Sequence, residues 1–244
     1  MSDCLKNIDV IVLAGGLGTR LSGVLKDKPK LLAPIGEGSY LMFLLEWVQS
    51  FGARRIIFGL GHLAGPVLDY LDANGKDSME ISAVVEERPM GTAGAIDNLR
   101  SQVRTNPVLI MNGDSFVDAN LCEFVNFHIE EKTDISILCT VVPNPGRYGT
   151  VKIDDQDRVV KFEEKSAGVG AGLINAGIYL FKSNSLSEIL KSGPSLENDF
   201  FPNRPVGSIA AMSGQYEFLD IGTPADLMRA PVVLRKHHNW RVKS

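Results

Sequence analysis

Ile8 to Leu31 reads IDVIVLAGGLGTRLSGVLKDKPKL, and the class of fold follows from it. Val10 to Leu13 is an unbroken apolar run without the alternation of a half-exposed strand, so it predicts a buried parallel strand. Gly15, Gly16 and Gly18 follow at once. Glycine there admits positive φ and lets a ligand approach the backbone closely. Thr19 and Arg20 come next, and Lys30 follows Pro29. A strand, a turn rich in backbone N–H groups and two cations together suit a nucleoside triphosphate. The same residues would also serve an ordinary strand and loop with surface charges. Two common phosphate motifs are excluded. Walker A would place Lys and Ser/Thr after the last glycine, where this chain has Thr19-Arg20, and the dinucleotide fingerprint needs a third glycine where Leu21 stands.

With 244 residues, the chain is long enough for one large α/β domain or two small ones. Its 22% charged and 44% hydrophobic residues are those of an ordinary globular protein. A net charge of −4 argues against a nucleic-acid partner. An anionic substrate must therefore be met by local cations. No apolar run has the length of a membrane span, and the amino-terminal residues lack a signal-peptide core. Cys4, Cys122 and Cys139 show no metal-ligand spacing and are expected as buried reduced thiols of a cytoplasmic protein.

Outward from the glycine loop, helices and strands alternate. Ser39–Phe51 predicts a helix stopped by Gly52, Arg55–Leu60 a strand, and Leu63–Leu71 a helix with Pro66 in its first turn. Met79–Val85 and Pro107–Met111 predict strands on either side of a helix over Gly91–Arg100. This alternation predicts an α/β fold with a doubly wound, mostly parallel sheet. The second half is strand-rich: Asp134–Val142, a hairpin of Thr150–Ile153 with Arg158–Glu163, and Ile178–Phe181. Ser183–Leu190 predicts a short helix. Thr223 and Pro224 suit the N-cap and first position of another. We find no repeat or linker, and read residues 1–244 as one domain. Its nucleotide-binding half covers about 1–133, its strand-rich sugar-facing half about 134–230, and a basic tail 231–244.

Asn112-Gly113-Asp114 directly follows the Pro107–Met111 strand. Ligands of open α/β sheets bind beyond the carboxyl ends of such strands, and a carboxylate there can hold a hard cation. Asp220, in FLDIGTP, supplies a second carboxylate. Each aspartate alone also suits a turn or cap. Glu86 to Ile96, EERPMGTAGAI, places Gly91 and Thr92 at a strand-to-helix turn where backbone groups can meet a base and ribose. The Glu86 carboxylate can accept from N1–H and the 2-amino group of guanine together, whereas uracil offers one such donor.

The glycine stretch with its Pro29-Lys30 resembles the G-G-x-G-T-R and P-K signature of sugar-phosphate nucleotidyltransferases. Further matches are EERPMGTAGAI, NGD, RYG at Arg147–Gly149, FEEK at Phe162–Lys165, NAG at Asn175–Gly177, SLEND at Ser195–Asp199 and DIGTP. They run from Val10 to Arg229, nearly the whole chain. LKDKPKLLAPIGEGSYL departs from the usual P-K-P or P-K-x-M but keeps Lys30.

The resemblance implies a Rossmann-like, GT-A-like fold and Mg²⁺-dependent transfer of a nucleotidyl group from a nucleoside triphosphate to a sugar 1-phosphate. Catalysis would rest on Arg20, Lys30 and Asp114, with Mg²⁺ on Asp114 and Asp220. The nucleotide would lie on Leu13, Ala14, Gly15, Gly16, Gly18, Thr19, Glu86, Gly91 and Thr92. The sugar phosphate would lie on Asn112, Gly149, Glu164, Lys165, Asn175 and Asp199. Similarity is greatest to compact members using GTP and a heptose 1-phosphate. Mannose-1-phosphate guanylyltransferases and N-acetylmuramate-1-phosphate uridylyltransferases share most of the motifs, and uridylyl relatives also carry a glutamate at the position of Glu86. The short stretch after Arg229 leaves no room for a left-handed β-helix domain. A non-catalytic, nucleotide-sugar-binding relative would lack Arg20, Lys30 or Asp114, and all three are present. A homo-oligomer stays open.

Overall fold

The computed structural model describes residues 3–16, 18, 21–25, 28–74, 78–163 and 170–237. The opening apolar run forms β1 (Asp9–Ala14). A single helical turn, α1 (Ser22–Leu25), and a two-stranded ribbon, β2 (Pro34–Ile35) with β3 (Gly38–Ser39), lead into α2 (Tyr40–Ser50). Ser39 caps α2: its hydroxyl accepts from the Met42 N–H at 3.2 Å, one of the donors a helix start leaves unpaired. There follow β4 (Arg55–Leu60), α3 (Ala64–Asn74), β5 (Glu80–Val85), α4 (Gly91–Leu99), β6 (Val108–Asn112) and β7 (Ser115–Val117). Then come α5 (Leu121–Glu131), β8 (Ile135–Val142), β9 (Thr150–Ile153), β10 (Val159–Glu163) and β11 (Gly172–Phe181). The described part ends with α6 (Leu186–Ile189), β12 (Ile209–Gly214), β13 (Phe218–Asp220) and α7 (Pro224–Leu234).

Seven strands form one sheet in the order β12-β8-β11-β6-β1-β4-β5. Only β11 runs against its neighbours, β6 and β8, so the sheet is mostly parallel as expected. The apolar runs lack alternation because both faces are covered. Val10, Val12, Ile56, Phe58, Leu109 and Met111 join Phe43, Leu44 and Trp47 of α2 on one face. Ile11, Leu13, Ile57 and Ile110 join Ile96 and Leu99 of α4, with Phe200 and Phe201, on the other.

The structure departs from expectation in three respects. Strands β8, β11 and β12 extend the central sheet, while the β9–β10 hairpin, and β13 with β7, stand apart from it. Ser183–Leu190 is not one helix but a tight turn, the four residues of α6, and another tight turn. Cys4 and Cys122 are not reduced thiols. They form a disulfide across 118 residues, with Cα atoms 5.4 Å apart. The Leu5 N–H donates to Phe51 O at 3.0 Å, which holds the first residues against the end of α2. Cys139 does stay free and buried; burial pushes its thiol well above the ordinary range. No helix among the described residues is long and apolar enough to cross a membrane.

Candidate active site

The strand order reverses between β1 and β6, because the chain goes from β1 to β4 and β5 on one side and returns to β6 on the other. Loops beyond such a switch point enclose a crevice. Leu13 is in register with Asn112, and the Gly113 N–H donates to Leu13 O at 2.8 Å. A Cβ at Gly113 would lie 2.9 Å from that oxygen, so the close approach of the two strand ends requires glycine. The crevice holds a cavity of about 580 Å³. Its lining includes Leu13, Ala14, Gly15, Gly16, Gly18, Lys30, Glu86, Gly91, Thr92, Asn112 and Asp114. Thr19, Arg20, Glu164 and Lys165 lie outside the described residues.

At one end of the crevice the two predicted carboxylates meet. β13 pairs with β7, setting Asp220 opposite Ser115, the residue after Asp114. The Ile221 N–H donates to Asp114 O at 2.7 Å. Lys30 Nζ lies 2.6 Å from Asp114 Oδ2. A Cβ at Gly222 would be 2.8 Å from Asp220 Oδ1, 3.0 Å from Lys30 Nζ and 3.6 Å from Asp114 Oδ2. Burial, and next the Asp114 charge, raise the Asp220 carboxyl, while the Gly222 N–H, Arg147 and Lys30 oppose that rise. Two carboxylates whose oxygens converge, one charge raising the proton affinity of the other, are a donor set suited to a hard cation. Among the described residues there is no group of three or more His, Cys, Asp or Glu that could hold a metal. Two carboxylates suit Mg²⁺, which keeps waters and takes its remaining oxygens from phosphates.

At the other end lies Glu86. Its backbone N–H donates to Leu60 O at 2.7 Å, and its Oε2 accepts from the Met90 N–H at 3.3 Å. Burial raises its carboxyl, partly offset by that N–H. A Cβ at Gly15 would come 2.9 Å from Glu86 Oε1, so the loop glycine makes room for the carboxylate. Gly61, which sequence reading passed over, sits beneath the same loop. A Cβ there would be 2.6 Å from Gly15 O and 2.8 Å from Gly15 Cα. Its only sequence signal is a glycine directly after a strand.

Two of the sugar-side motifs reach Asn112 and Asp220. The register of β11 shifts between Asn175 and Tyr179, and Gly177 there has φ +76°. A Cβ on Gly177 would lie 2.6 Å from Asn112 Nδ2, so the NAG and NGD motifs touch. Gly149, at φ +76°, precedes β9. Arg147, quoted in the RYG motif but given no role by sequence, reaches Asp220 Oδ2 at 3.2 Å. Glu163, at the end of β10, bonds to Lys152, Lys161 and Thr150, which hold its carboxyl down at about 2. Asp199 instead caps its own turn, where Oδ2 accepts from the Ser195 N–H at 2.8 Å.

The family model described as Nucleotidyl transferase matches residues 9–236. The D-glycero-alpha-D-manno-heptose 1-phosphate guanylyltransferase of Campylobacter jejuni is 34% identical over 90% of this chain and 96% of its own length. The mannose-1-phosphate guanylyltransferase of Mycobacterium tuberculosis is 30% identical over 91% of this chain, which spans only 63% of that relative. The crystal structure of HddC from Yersinia pseudotuberculosis complexed with GMP-PN superposes with a TM-score of 0.82 at 30% identity, over 93% of this chain and 99% of that one.

Proposed function

The chain belongs to the nucleotidyl transferase family, and we propose that it transfers a guanylyl group from GTP to a sugar 1-phosphate, D-glycero-α-D-manno-heptose 1-phosphate in particular. The observation that carries this reading is the crevice itself. Lys30, Asp114 and Asp220 converge at one end, and a carboxylate suited to a base edge, Glu86, stands across the glycine loop. The heptose assignment is supported by the Campylobacter jejuni relative, whose length this chain matches. The guanine assignment is supported by the solved neighbour, whose complex holds GMP-PN.

In the reaction, an oxygen of the sugar 1-phosphate attacks the α-phosphorus of GTP in line. The bond from that phosphorus to the β-phosphate oxygen breaks, and pyrophosphate leaves. No covalent step falls to the protein, so its task is positioning and charge neutralisation. Backbone N–H groups of the Gly15–Gly18 loop hold the phosphates. Lys30 neutralises charge growing at the α-phosphate. From the sequence motif, Arg20 grips the leaving pyrophosphate with its fixed fork, and Lys165 brings in the attacking phosphate. Asn112, Gly149, Glu164 and Asn175 frame the sugar, while Asp199 shapes that side by holding its own turn. Asp114 and Asp220 would hold Mg²⁺, which when bound would offset negative charge on the phosphates.

Pyrophosphate release, screened with four nucleoside triphosphates against a panel of sugar 1-phosphates, tests the activity. Release with GTP and a heptose 1-phosphate is the expected outcome. No release with any pair would refute nucleotidyl transfer by this chain.

A further inference from the structure

We propose that Glu197 is a positioning residue that couples the nucleotide loop to the sugar side of the site, an inference that rests on the transferase reading above. Glu197 lies in the short helical turn Leu196–Phe200, which follows the loop of Pro194 and Ser195. That loop is bolted to the start of α4. The Ala93 N–H donates to Pro194 O at 2.9 Å. Gly91, at φ +72°, lies so close to the Pro194 carbonyl that a Cβ would collide with it.

The hydrogen bonds around Glu197 have fixed directions. The Leu196 N–H donates to Thr92 Oγ1 at 2.8 Å, so the Thr92 hydroxyl spends its proton on Glu197 Oε2 at 2.9 Å. On the other branch, the Gly177 N–H donates to Asn175 Oδ1 at 2.9 Å, which sets the orientation of that amide. Asn175 Nδ2 then donates to Tyr179 Oη at 2.9 Å, and Tyr179 donates to Glu197 Oε1 at 3.2 Å. The Ser195 hydroxyl adds a third donation, to Oε2 at 3.2 Å. Tyr179 is fully buried. Burial and the Glu197 charge push its phenol well above the ordinary range, so it keeps the proton it donates.

Glu197 therefore terminates two chains of donors, one from Thr92 in the nucleotide cavity and one from Asn175 on the sugar side. A carboxylate is acceptor-only and can receive both, whereas an amide must turn its NH₂ toward one of them. Two sites that order one shared group are energetically coupled, because the first ligand to bind pre-orders that group for the second.

The experiment is a set of steady-state kinetics on folded protein, checked by far-UV circular dichroism. Tyr179→Phe keeps the ring and removes the hydroxyl. It is expected to raise KM for the sugar 1-phosphate by roughly three- to tenfold, the effect of one lost hydrogen bond, and, through Glu197, to raise KM for GTP by a smaller factor. Thr92→Val should act most on KM for GTP and, through Glu197, raise KM for the sugar 1-phosphate by a smaller factor. Glu197→Gln should raise both constants, and adding Tyr179→Phe to it should raise the sugar KM no further. Should Glu197→Gln fail to fold, the two single variants still decide the matter. A Tyr179→Phe effect confined to the sugar constant together with a Thr92→Val effect confined to the GTP constant, or no effect of Tyr179→Phe on either, overturns the coupling while wild-type turnover leaves the transferase reading standing. Absence of turnover in the wild-type chain overturns both.

Discussion

Lys30 Nζ and Asp114 Oδ2 stand 2.6 Å apart, and the same ammonium faces Asp220 across Gly222. One cation thus lies close to two carboxylates that would otherwise repel. The pair is half-exposed, with 22% and 40% of the two side chains accessible, and ion pairs in such settings add about 0–1 kcal/mol to stability. Its place at the switch point fits the catalytic role proposed for it.

Asp114→Asn or Asp220→Asn should accordingly lower kcat by orders of magnitude while shifting the melting temperature by only a few degrees. Mg²⁺ titrations of turnover, run beside thermal melts, check this. Near-normal turnover at saturating Mg²⁺ in either variant would remove that residue from the metal site.

Gly61→Ala puts a methyl group into the backbone of Gly15, and overpacking of this kind costs about 1–3 kcal/mol. The expected result is a raised KM for GTP from a displaced loop. Gly65→Ala, in α3 with open space around it, should leave kinetics unchanged and gain about 0.5–1 kcal/mol of stability. Equal kinetics in the two variants would contradict the role given to Gly61.

At the opposite end of β1, Asp9 pairs with Arg55 at 2.9 Å. It also accepts from the Arg104 N–H at 2.6 Å, and both Asp9 and Arg55 are buried. Arg55 keeps Glu80 at 3.1 Å, so removing Asp9 does not strand its charge, but it leaves the Arg104 N–H without its acceptor and costs roughly 1–3 kcal/mol. Asp9→Ala should therefore lose stability by that order in chemical denaturation, yet retain the wild-type kcat at temperatures where it stays folded.

Burial, with the nearby Lys182 adding and Asp134 opposing, pushes the His128 imidazole down to about 4; its Nδ1 contacts Ser136 Oγ at 2.8 Å. The folded state thus holds the neutral ring, while the unfolded chain takes a proton near pH 6.5. Stability from this group is complete above about pH 6.5 and is lost as pH falls toward 4. Denaturant midpoints measured across that window should fall more steeply in the wild type than in His128→Gln. Parallel profiles would show that His128 carries none of the slope.

Much of this was legible in the sequence. The apolar runs gave β1, β4 and β6 because both sheet faces are covered there, and the glycine, NGD and DIGTP motifs do converge. The disulfide was not legible, because Cys4 and Cys122 meet through tertiary packing across 118 residues. The place of β11 in the main sheet was hidden by the break at Asn175–Gly177, where one register shift joins the sugar motif to Asn112. Helix α5 went unassigned although Leu121, Phe124, Val125 and His128, its buried residues, repeat at helical spacing. Arg147 and Gly61 act through contacts that no spacing encodes.

The most direct test of guanylyl transfer is kcat/KM for GTP against UTP with D-glycero-α-D-manno-heptose 1-phosphate, in wild type and Glu86→Gln. A bidentate contact to guanine is worth roughly 1–3 kcal/mol of discrimination, or about ten- to a hundredfold in rate. The account predicts that preference for GTP, narrowed in Glu86→Gln because its amide accepts at only one atom. A preference for UTP, or a GTP preference that Glu86→Gln leaves intact, would contradict it.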